Sequence, residues 1–257
     1  MSNSEPVSIS KLRLQLAAAT RMLEQRQIIN YSGHISCRVP GSDDILIQRR
    51  NDSRATLEPE RILRVGPDGQ TVEDDGKPPS ETIIHLEILK ARPDVNSVLH
   101  CHMPSAVKFT LMQDTQLKPL LCHATRWRSG IPTHPTPAHI EFEEQGRALA
   151  QTLGPHNAAL MRAHGMVLVS ESVPGIFVDA IHFNENAEAY FDILRTGKEP
   201  APLSEDEIDG LIAHERRGHH LRKIFGYYLD KSRDDLPEEW DIDNWDDLDT
   251  GKGKPKS

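Results

Sequence analysis

The sequence predicts an α/β fold in which several helices pack against a sheet of short strands. Three observations lead to this prediction. The chain has 257 residues, which is enough to bury one large core without requiring a second domain. Several stretches carry apolar residues at helical spacing, and shorter apolar runs typical of strands lie between them. We therefore expect one domain over residues 1–233.

Six stretches are typical of helices. They cover residues 8–26, 81–91, 104–112, 141–153, 172–194 and 204–220. Serine can cap the exposed N–H groups at a helix start, so we expect Ser8 or Ser10 to cap the first helix and Ser80 the second. Pro93 should end the second helix and Gly154 the fourth, because proline cannot continue a helix and glycine favours its end.

The apolar runs between these helices predict strands. They cover residues 31–40, 45–48, 96–102, 158–161 and 166–169. Residues 65–72 contain Pro-Asp-Gly and predict a hairpin. Only four residues separate the last two strands, so we expect His164 to lie at a strand end that faces an open cleft.

Composition excludes two classes of partner. A formal net charge of -9 argues against a nucleic-acid surface, which needs clustered lysine and arginine. No apolar run approaches the roughly 18 residues of a membrane span, and the first residues lack the pattern of a signal peptide. We therefore expect a cytoplasmic protein with no nucleic-acid or membrane partner.

The cysteines and the last residues carry no chemistry that we can assign. Cys37, Cys101 and Cys122 are too few and too scattered for a disulfide framework, so we expect reduced thiols. Residues 234–257 are acidic and then rich in glycine and lysine, which predicts a flexible tail or a contact arm.

Histidine is the residue type that points to a function. Alternate residues of a strand share a face, so His100 and His102 present two imidazoles side by side. His164 offers a third, and three histidines leave coordination positions free for water or substrate, as in a catalytic metal site. The alternative is that this pair is accidental and that each ring forms local hydrogen bonds.

Glu81 is the candidate acid/base. It stands at the start of a predicted helix, where N–H groups and the helix dipole favour an ionised carboxylate. The alternative role, a plain helix cap, is common for Ser-Glu at this position. His85 lies one turn later on the same face and favours the catalytic role.

The order of these motifs resembles the class II aldolase/adducin family over residues 10–200. The motifs are Ser-Gly-His-Ile-Ser-Cys-Arg at 32–38, Ser80-Glu81 with His85, residues 91–95, His100-Cys-His102 and Arg162-Ala-His-Gly165. The resemblance implies a three-layer α/β/α fold with a largely antiparallel central sheet and a homotetramer with active sites between subunits. It also implies that His100, His102 and His164 hold one divalent metal ion per subunit and that Glu81 transfers a proton. Three imidazoles accept zinc, manganese, iron or cobalt.

The departures from the family pattern concern the substrate. Sugar-phosphate aldolases of this family have Gly-Asn and a pair of small hydroxyl residues where this chain has Gly33-His34 and Pro79-Ser80. The loop around His34 is similar to the branch of decarboxylases that act on hydroxylated aromatic or pyridine carboxylic acids. His34 and Ser80 can bind a carboxylate, which is smaller than a phosphate.

A second segment carries further candidate substrate contacts. His123 and Arg126 are predicted to lie near the cleft, where Arg126 can hold a carboxylate at two points and Trp127 can pack on an aromatic ring. The alternative is a solvent-facing loop or a subunit contact. Five further histidines are predicted surface or interface groups, and Tyr227 and Tyr228 are predicted to pack in the core. These histidines are His134, His139, His214, His219 and His220.

We therefore expect a metal-dependent lyase whose substrate is a small carboxylic acid. Decarboxylation of a hydroxylated aromatic or heteroaromatic acid is the first hypothesis, and aldol cleavage of a non-phosphorylated hydroxy-keto acid would use the same residues. A non-haem iron oxygenase on the same fold is a third possibility. The non-enzymatic alternative is an adducin-like interaction domain, against which the three histidines and Glu81 count.

Overall fold

The structure is a computed structural model that describes residues 8–72, 75–238 and 240. These residues form a sheet of seven strands. The strands are β1 (His34–Arg38), β2 (Ile45–Gln48), β3 (Ile62–Val65), β4 (Ser97–Cys101), β5 (Thr133–His134), β6 (Ala158–Met161) and β7 (Gly165–Ser170). Their order across the sheet is β3-β2-β1-β4-β7-β6-β5.

The sheet is mixed but largely antiparallel, which confirms the prediction. Every neighbouring pair is antiparallel except β5 with β6, which is parallel. The register of β1 on β4 places His34 opposite His100, and that of β4 on β7 places His100 opposite Val167. Directly opposed residues share a face of the sheet, so His34 and His100 are neighbours.

Seven α-helices lie in the described part of the chain. They are α1 (Ile9–Gln25), α2 (Thr82–Ala91), α3 (Pro104–Thr110), α4 (Glu143–Leu153), α5 (Val173–Arg195), α6 (Glu205–Ala213) and α7 (Arg217–Lys231). Single 3₁₀ segments cover Pro59–Arg61, Cys122–Trp127 and Arg233–Asp235. Ser8 caps α1 as predicted, because its side chain accepts a hydrogen bond from the N–H of Lys11.

The helices cover both faces of the sheet and give the three-layer arrangement. On one face, α2 and α4 bury apolar residues such as Ile88 and Leu149 against Val98 and Val167. On the other face, α1, α3, α5 and α7 bury a second, larger set against the strands, including Leu99 of β4. Val98 and Leu99 are successive residues of one strand, so their side chains point to opposite faces of the sheet and pack in different cores.

Three local predictions were wrong. Ser80 does not cap α2: Glu81 occupies the cap position without a side-chain cap bond, and Thr82 donates to the carbonyl of Pro79 instead. The predicted helix over 204–220 is two helices: α6 ends at Ala213 and buries only Ile208, and α7 begins at Arg217 and buries an apolar face of its own that includes Leu221 and Phe225. His134 is buried, not at the surface, because its strand pairs with β6 at the sheet edge.

The last described residues pack on the domain. Leu236 and Trp240 are buried, and the guanidinium of Arg21 lies 4.8 Å from the centre of the Trp240 ring. The rest of the predicted tail, residue 239 and residues 241–257, lies outside the described residues, and its flexibility stays a prediction. Among the described residues, no helix has both the length and the apolar character needed to cross a membrane.

Candidate metal centre

Four side chains from three parts of the chain converge at one end of β4. Glu81, His100, His102 and His164 each offer a ligand atom, and these atoms all lie within 4.8 Å of one another. The ring centres of the three histidines are 5.0 to 5.3 Å apart. Glu81 comes from the start of α2, His100 and His102 from the end of β4, and His164 from the turn between β6 and β7. The structure thus brings together the residues that the sequence selected as ligands and acid/base.

Gly165 allows this close approach of β4 and the β6–β7 turn. A Cβ atom on Gly165 would lie 2.5 Å from the carbonyl oxygen of Cys101 and 2.9 Å from the ring of His102. Contacts this short do not occur for real side chains, so only glycine fits without a backbone shift. Ala163, two residues earlier, has a φ of 53°, which turns the chain so that it enters β7.

The cluster leaves several imidazole nitrogens buried without a partner. Nε2 of His100, Nε2 of His102 and both ring nitrogens of His164 have no hydrogen bond within the described residues. A buried polar atom without a partner costs about 1–3 kcal/mol, so native proteins rarely keep several together. A divalent ion would accept these lone pairs, and the donor set of imidazoles and one carboxylate fits such an ion.

Glu81 lies against the histidines with an ionised carboxylate. Its Oε2 is 3.4 Å from Nε2 of His100, and its Oε1 is 3.7 Å from Nε2 of His164. Oε1 also accepts a hydrogen bond of 2.9 Å from the N–H of Ile140. Burial alone would raise the pKa of Glu81, but these contacts together hold the pKa below its usual value. Glu81 is therefore a base at neutral pH.

A second group of polar side chains lies behind the ligands. Nδ1 of His34 lies 2.6 Å from Nε2 of His85, and Nδ1 of His85 lies 2.6 Å from Oγ of Ser36. The His34 ring lies 5.2 Å from the His100 ring, centre to centre. Burial and the nearby His100 lower the pKa of His85 to about 3, so His85 is neutral at pH 7. The contacts between the side chains of His34, His85 and Ser36 thus connect strand β1 and helix α2 beside the metal centre.

The predicted substrate-binding residues fall into two groups. His34 lies beside the centre, and Ser80 is exposed next to Glu81. Arg126 instead pairs with Glu171 and Asp179 beyond the far end of β7.

His123 contacts His182 on α5, so within the described residues it lies on the α5 side of the sheet and not with the four-residue cluster. The prediction for Trp127 was wrong, because its ring is buried edge-on against Phe183 in the core.

Sequence reasoning missed one histidine at the centre. His139 was predicted to be a surface group and is indeed exposed, but its Nδ1 lies only 3.7 Å from Oε1 of Glu81. It precedes Ile140, whose N–H binds the same carboxylate oxygen. The surrounding proline-rich loop has no periodicity, and only the proximity of two histidines in that loop gave any signal. His214, His219 and His220 are exposed as predicted. Tyr228 packs on Phe177 as predicted, whereas the core prediction for Tyr227 was wrong because its side chain is exposed.

Comparison with known proteins gives relatives that match most of the chain. The chain is 26% identical over 210 residues to 3,4-dihydroxyphthalate decarboxylase from Arthrobacter keyseri, covering 75% of this chain and 82% of the relative. It is 28% identical over 185 residues to 5-methylthioribulose-1-phosphate/5-deoxyribulose-1-phosphate aldolase from Rhodospirillum rubrum, covering 70% and 80%. Relatives of this kind confirm the predicted enzyme of the lyase type.

A solved structure and a family model agree with this result. The fold matches an aldolase II superfamily protein from Pseudomonas syringae with a TM-score of 0.75 and 21% identity, covering 91% of this chain and 95% of the other. At that identity the likeness shows the fold. The model for the class II aldolase and adducin N-terminal domain matches residues 14–191, which include all four residues of the cluster. The chain therefore belongs to the class II aldolase and adducin family.

Proposed function

We propose that this protein is a divalent-metal-dependent lyase that removes carbon dioxide from a hydroxylated aromatic or heteroaromatic carboxylic acid. One observation carries the proposal: the cluster of Glu81, His100, His102 and His164, of which Glu81 and His100 are buried and the other two partly buried. The similarity of the chain to a decarboxylase of a dihydroxylated aromatic acid, which covers three quarters of this chain, supports the choice of reaction.

The three histidines are the proposed ligands. His100 would bind through Nε2, because its Nδ1 lies 3.0 Å from the carbonyl oxygen of Met166 and donates to it. Nε2 of His102 and either nitrogen of His164 are free to bind. When bound, a divalent ion supplies positive charge that stabilises the electron-rich phenolate formed in the reaction. We expect zinc, manganese, iron or cobalt, one ion per subunit.

Glu81 is the proposed acid/base. As an ionised carboxylate it first takes the proton from a substrate hydroxyl beside the carboxylate to be lost. Glu81 then delivers this proton to the ring carbon that bears the carboxylate. The bond between that carbon and the carboxylate breaks, its electron pair restores the aromatic ring with the oxygen as a phenolate, and carbon dioxide leaves. The N–H of Ile140 holds one oxygen of Glu81 in place, so the other oxygen faces the reacting atoms.

His34 and Ser80 are the proposed substrate contacts. The His34 ring lies beside that of His100, and Ser80 is exposed and directly precedes Glu81 in the chain. An imidazole and a hydroxyl suit a carboxylate. A role of His123 and Arg126 in substrate binding stays a prediction, as do the homotetramer and the cytoplasmic location.

Aldol cleavage is the second candidate, because the chain is also 28% identical to a sugar-phosphate aldolase. The same residues would serve, with Glu81 moving a proton between the hydroxyl and the carbon. The experiment that tests the proposal supplies the purified protein with each metal in turn and measures carbon dioxide from dihydroxy-aromatic acids, including 3,4-dihydroxyphthalate. Aldehyde release from hydroxy-keto acids is measured in parallel.

Release of carbon dioxide without oxygen consumption would support the proposal. Aldehyde release alone would replace it with aldol cleavage, and turnover that requires oxygen would replace it with an oxygenase. A protein that takes up no metal would revive the interaction-domain alternative. The matched blank is the protein treated with chelator, which should be inactive in every assay.

A further inference from the structure

We propose that the chain carries a second divalent-cation site, formed by His123, His182 and Glu185 and separate from the metal centre. Each of the three side chains offers a ligand atom, and these atoms lie within 4.8 Å of one another. Two imidazoles and one carboxylate form a donor set that suits zinc and leaves one position for water. This proposal does not depend on the reaction at the metal centre.

Two elements supply the three side chains. His123 belongs to the 3₁₀ segment Cys122–Trp127, while His182 and Glu185 stand three residues apart on α5 and therefore share a face of that helix. The rings of His123 and His182 lie 4.2 Å apart, centre to centre. Nε2 of His123 lies 3.2 Å from Oε2 of Glu185. Two ligands at about 2.1 Å from a tetrahedral zinc ion lie about 3.4 Å apart, so this pair already has suitable spacing.

A ring nitrogen without a hydrogen bond supports the assignment. Nε2 of His123 is inaccessible to solvent, and it forms no hydrogen bond within the described residues although Glu185 is close. At this position the nitrogen gains a partner if a cation lies between it and the carboxylate. The same feature, inaccessible imidazole nitrogens without hydrogen bonds beside a carboxylate, marks the metal centre.

The backbone around the cluster is held in place without the ion. Oδ1 of Asn186 accepts hydrogen bonds of 2.8 and 3.1 Å from the N–H groups of Leu120 and Leu121. Nδ2 of Asn186 donates a 3.0 Å hydrogen bond to the carbonyl of Lys118. The residue next to Glu185 thus fixes the chain that leads to His123, so little order must be gained when a cation binds.

The nearby charges do not oppose a cation. Arg126 and Arg217 lie close by, but both guanidinium groups bind the carboxylates of Glu171 and Asp179. These two positive and two negative groups compensate one another, and Glu185 adds a further negative charge. A cavity of about 300 Å³, lined by His123 and His182, gives access from solvent.

Zinc titration of the full-length protein, first treated with chelator, tests the proposal. Calorimetry of the wild type should give two equivalents of zinc per chain. His182→Ala should bind one equivalent, and Glu185→Gln should bind the second equivalent at least ten-fold more weakly while the first is unchanged. His102→Ala should lose the other equivalent and keep the one at His182.

The matched control is His219→Ala, which removes an exposed histidine that is not one of the three proposed ligands and should keep both equivalents. Circular dichroism checks that each variant is folded, and Glu185→Gln serves if His182→Ala does not fold, because Glu185 is partly exposed. One equivalent in the wild type, or two equivalents of unchanged affinity in His182→Ala or Glu185→Gln, would overturn the proposal.

Discussion

Nδ1 of His100 lies 3.0 Å from the carbonyl oxygen of Met166 on the neighbouring strand. Since a carbonyl can only accept, this ring nitrogen carries the hydrogen and Nε2 carries the lone pair. Nε2 is the atom that faces Glu81, at 3.4 Å. The contact between β4 and β7 therefore selects the tautomer of a candidate metal ligand before any ion binds.

Removal of one ligand tests the metal centre directly. We predict that His102→Ala loses its activity and the ion of the metal centre, because two imidazoles and Glu81 cannot replace the third nitrogen. The metal affinity should fall at least about 100-fold, more than the 10-fold to 100-fold loss typical of groups that only orient a ligand. Metal content after desalting measures this, with exposed His219→Ala as the control. A His102→Ala protein that retains as much metal as the wild type would rule out His102 as a ligand.

Glu81 should be separable from the metal ligands. We predict that Glu81→Gln keeps the metal but loses activity by about 10² to 10⁴-fold, the usual contribution of a positioned acid/base. Glutamine preserves the shape and still accepts from the N–H of Ile140, but it cannot carry the proton. Glu87→Gln is the matched control, since Glu87 is a buried carboxylate of the same helix, outside the cluster. Full activity of Glu81→Gln would contradict the acid/base role.

Strand periodicity predicted part of this centre correctly. The two-residue spacing of His100 and His102 fixed their common face, and the glycine after His164 indicated a turn at a strand end. The meeting of these residues with Glu81 depends on sheet order and register, which single-chain patterns do not specify. The family resemblance supplied that information, and the structure places all four residues together.

Loops and short turns explain what the sequence did not predict. His139 and His123 lie in segments without apolar periodicity, so nothing in the local pattern indicated their neighbours. The prediction that Ser80 caps α2 was wrong. The hydroxyl of Thr82 donates a hydrogen bond to the carbonyl of Pro79, and Ser80 is left exposed. One long helix was predicted where the structure has α6 and α7. Residues 214–216, which separate these two helices, contain no proline or glycine that would indicate the break.

Gly165 should be sensitive to a single methyl group. We predict that Gly165→Ala destabilises the protein by about 1–3 kcal/mol, the usual cost of overpacking, because the new Cβ meets the carbonyl of Cys101. Because the His102 ring is displaced too, metal affinity should also fall. Urea unfolding and metal titration measure the two effects. The control Gly210→Ala lies in α6 with open space around it, and it should stabilise the protein slightly.

His34 should affect the substrate rather than the metal. We predict that His34→Asn keeps the metal and lowers kcat/KM for a hydroxylated aromatic acid by about ten-fold or more, as when a hydrogen bond to a charged group is lost. The amide is shorter than the imidazole and is the residue type of the sugar-phosphate aldolases. A larger change in KM than in kcat would indicate a contact with the substrate carboxylate. Unchanged values of both would show that His34 only packs against His85.

The stability of the protein at acid pH should depend on the ion pairs of Glu171 with Arg126 and Arg217, just before α5. Burial alone would raise the pKa of Glu171, but Arg217 and Arg126 lower it from 4.5 to about 2. Because the folded pKa lies below the unfolded one, Glu171 contributes its full stabilisation above about pH 4.5 and loses it as the pH falls toward 2. Glu171→Gln should therefore be less stable than the wild type at pH 7, and the difference should shrink between pH 4.5 and 2.

The measurement is the difference in the free energy of unfolding in urea between Glu171→Gln and the wild type at each pH, because protonation of the metal centre contributes equally to both proteins and cancels. Glu188→Gln, an exposed carboxylate of the same helix, is the matched control and should give no pH-dependent difference. A Glu171→Gln difference that stays constant from pH 7 to pH 3 would mean that the carboxylate is not ionised in its pair with Arg217. That result would also remove the charge compensation invoked for the cation site at His182.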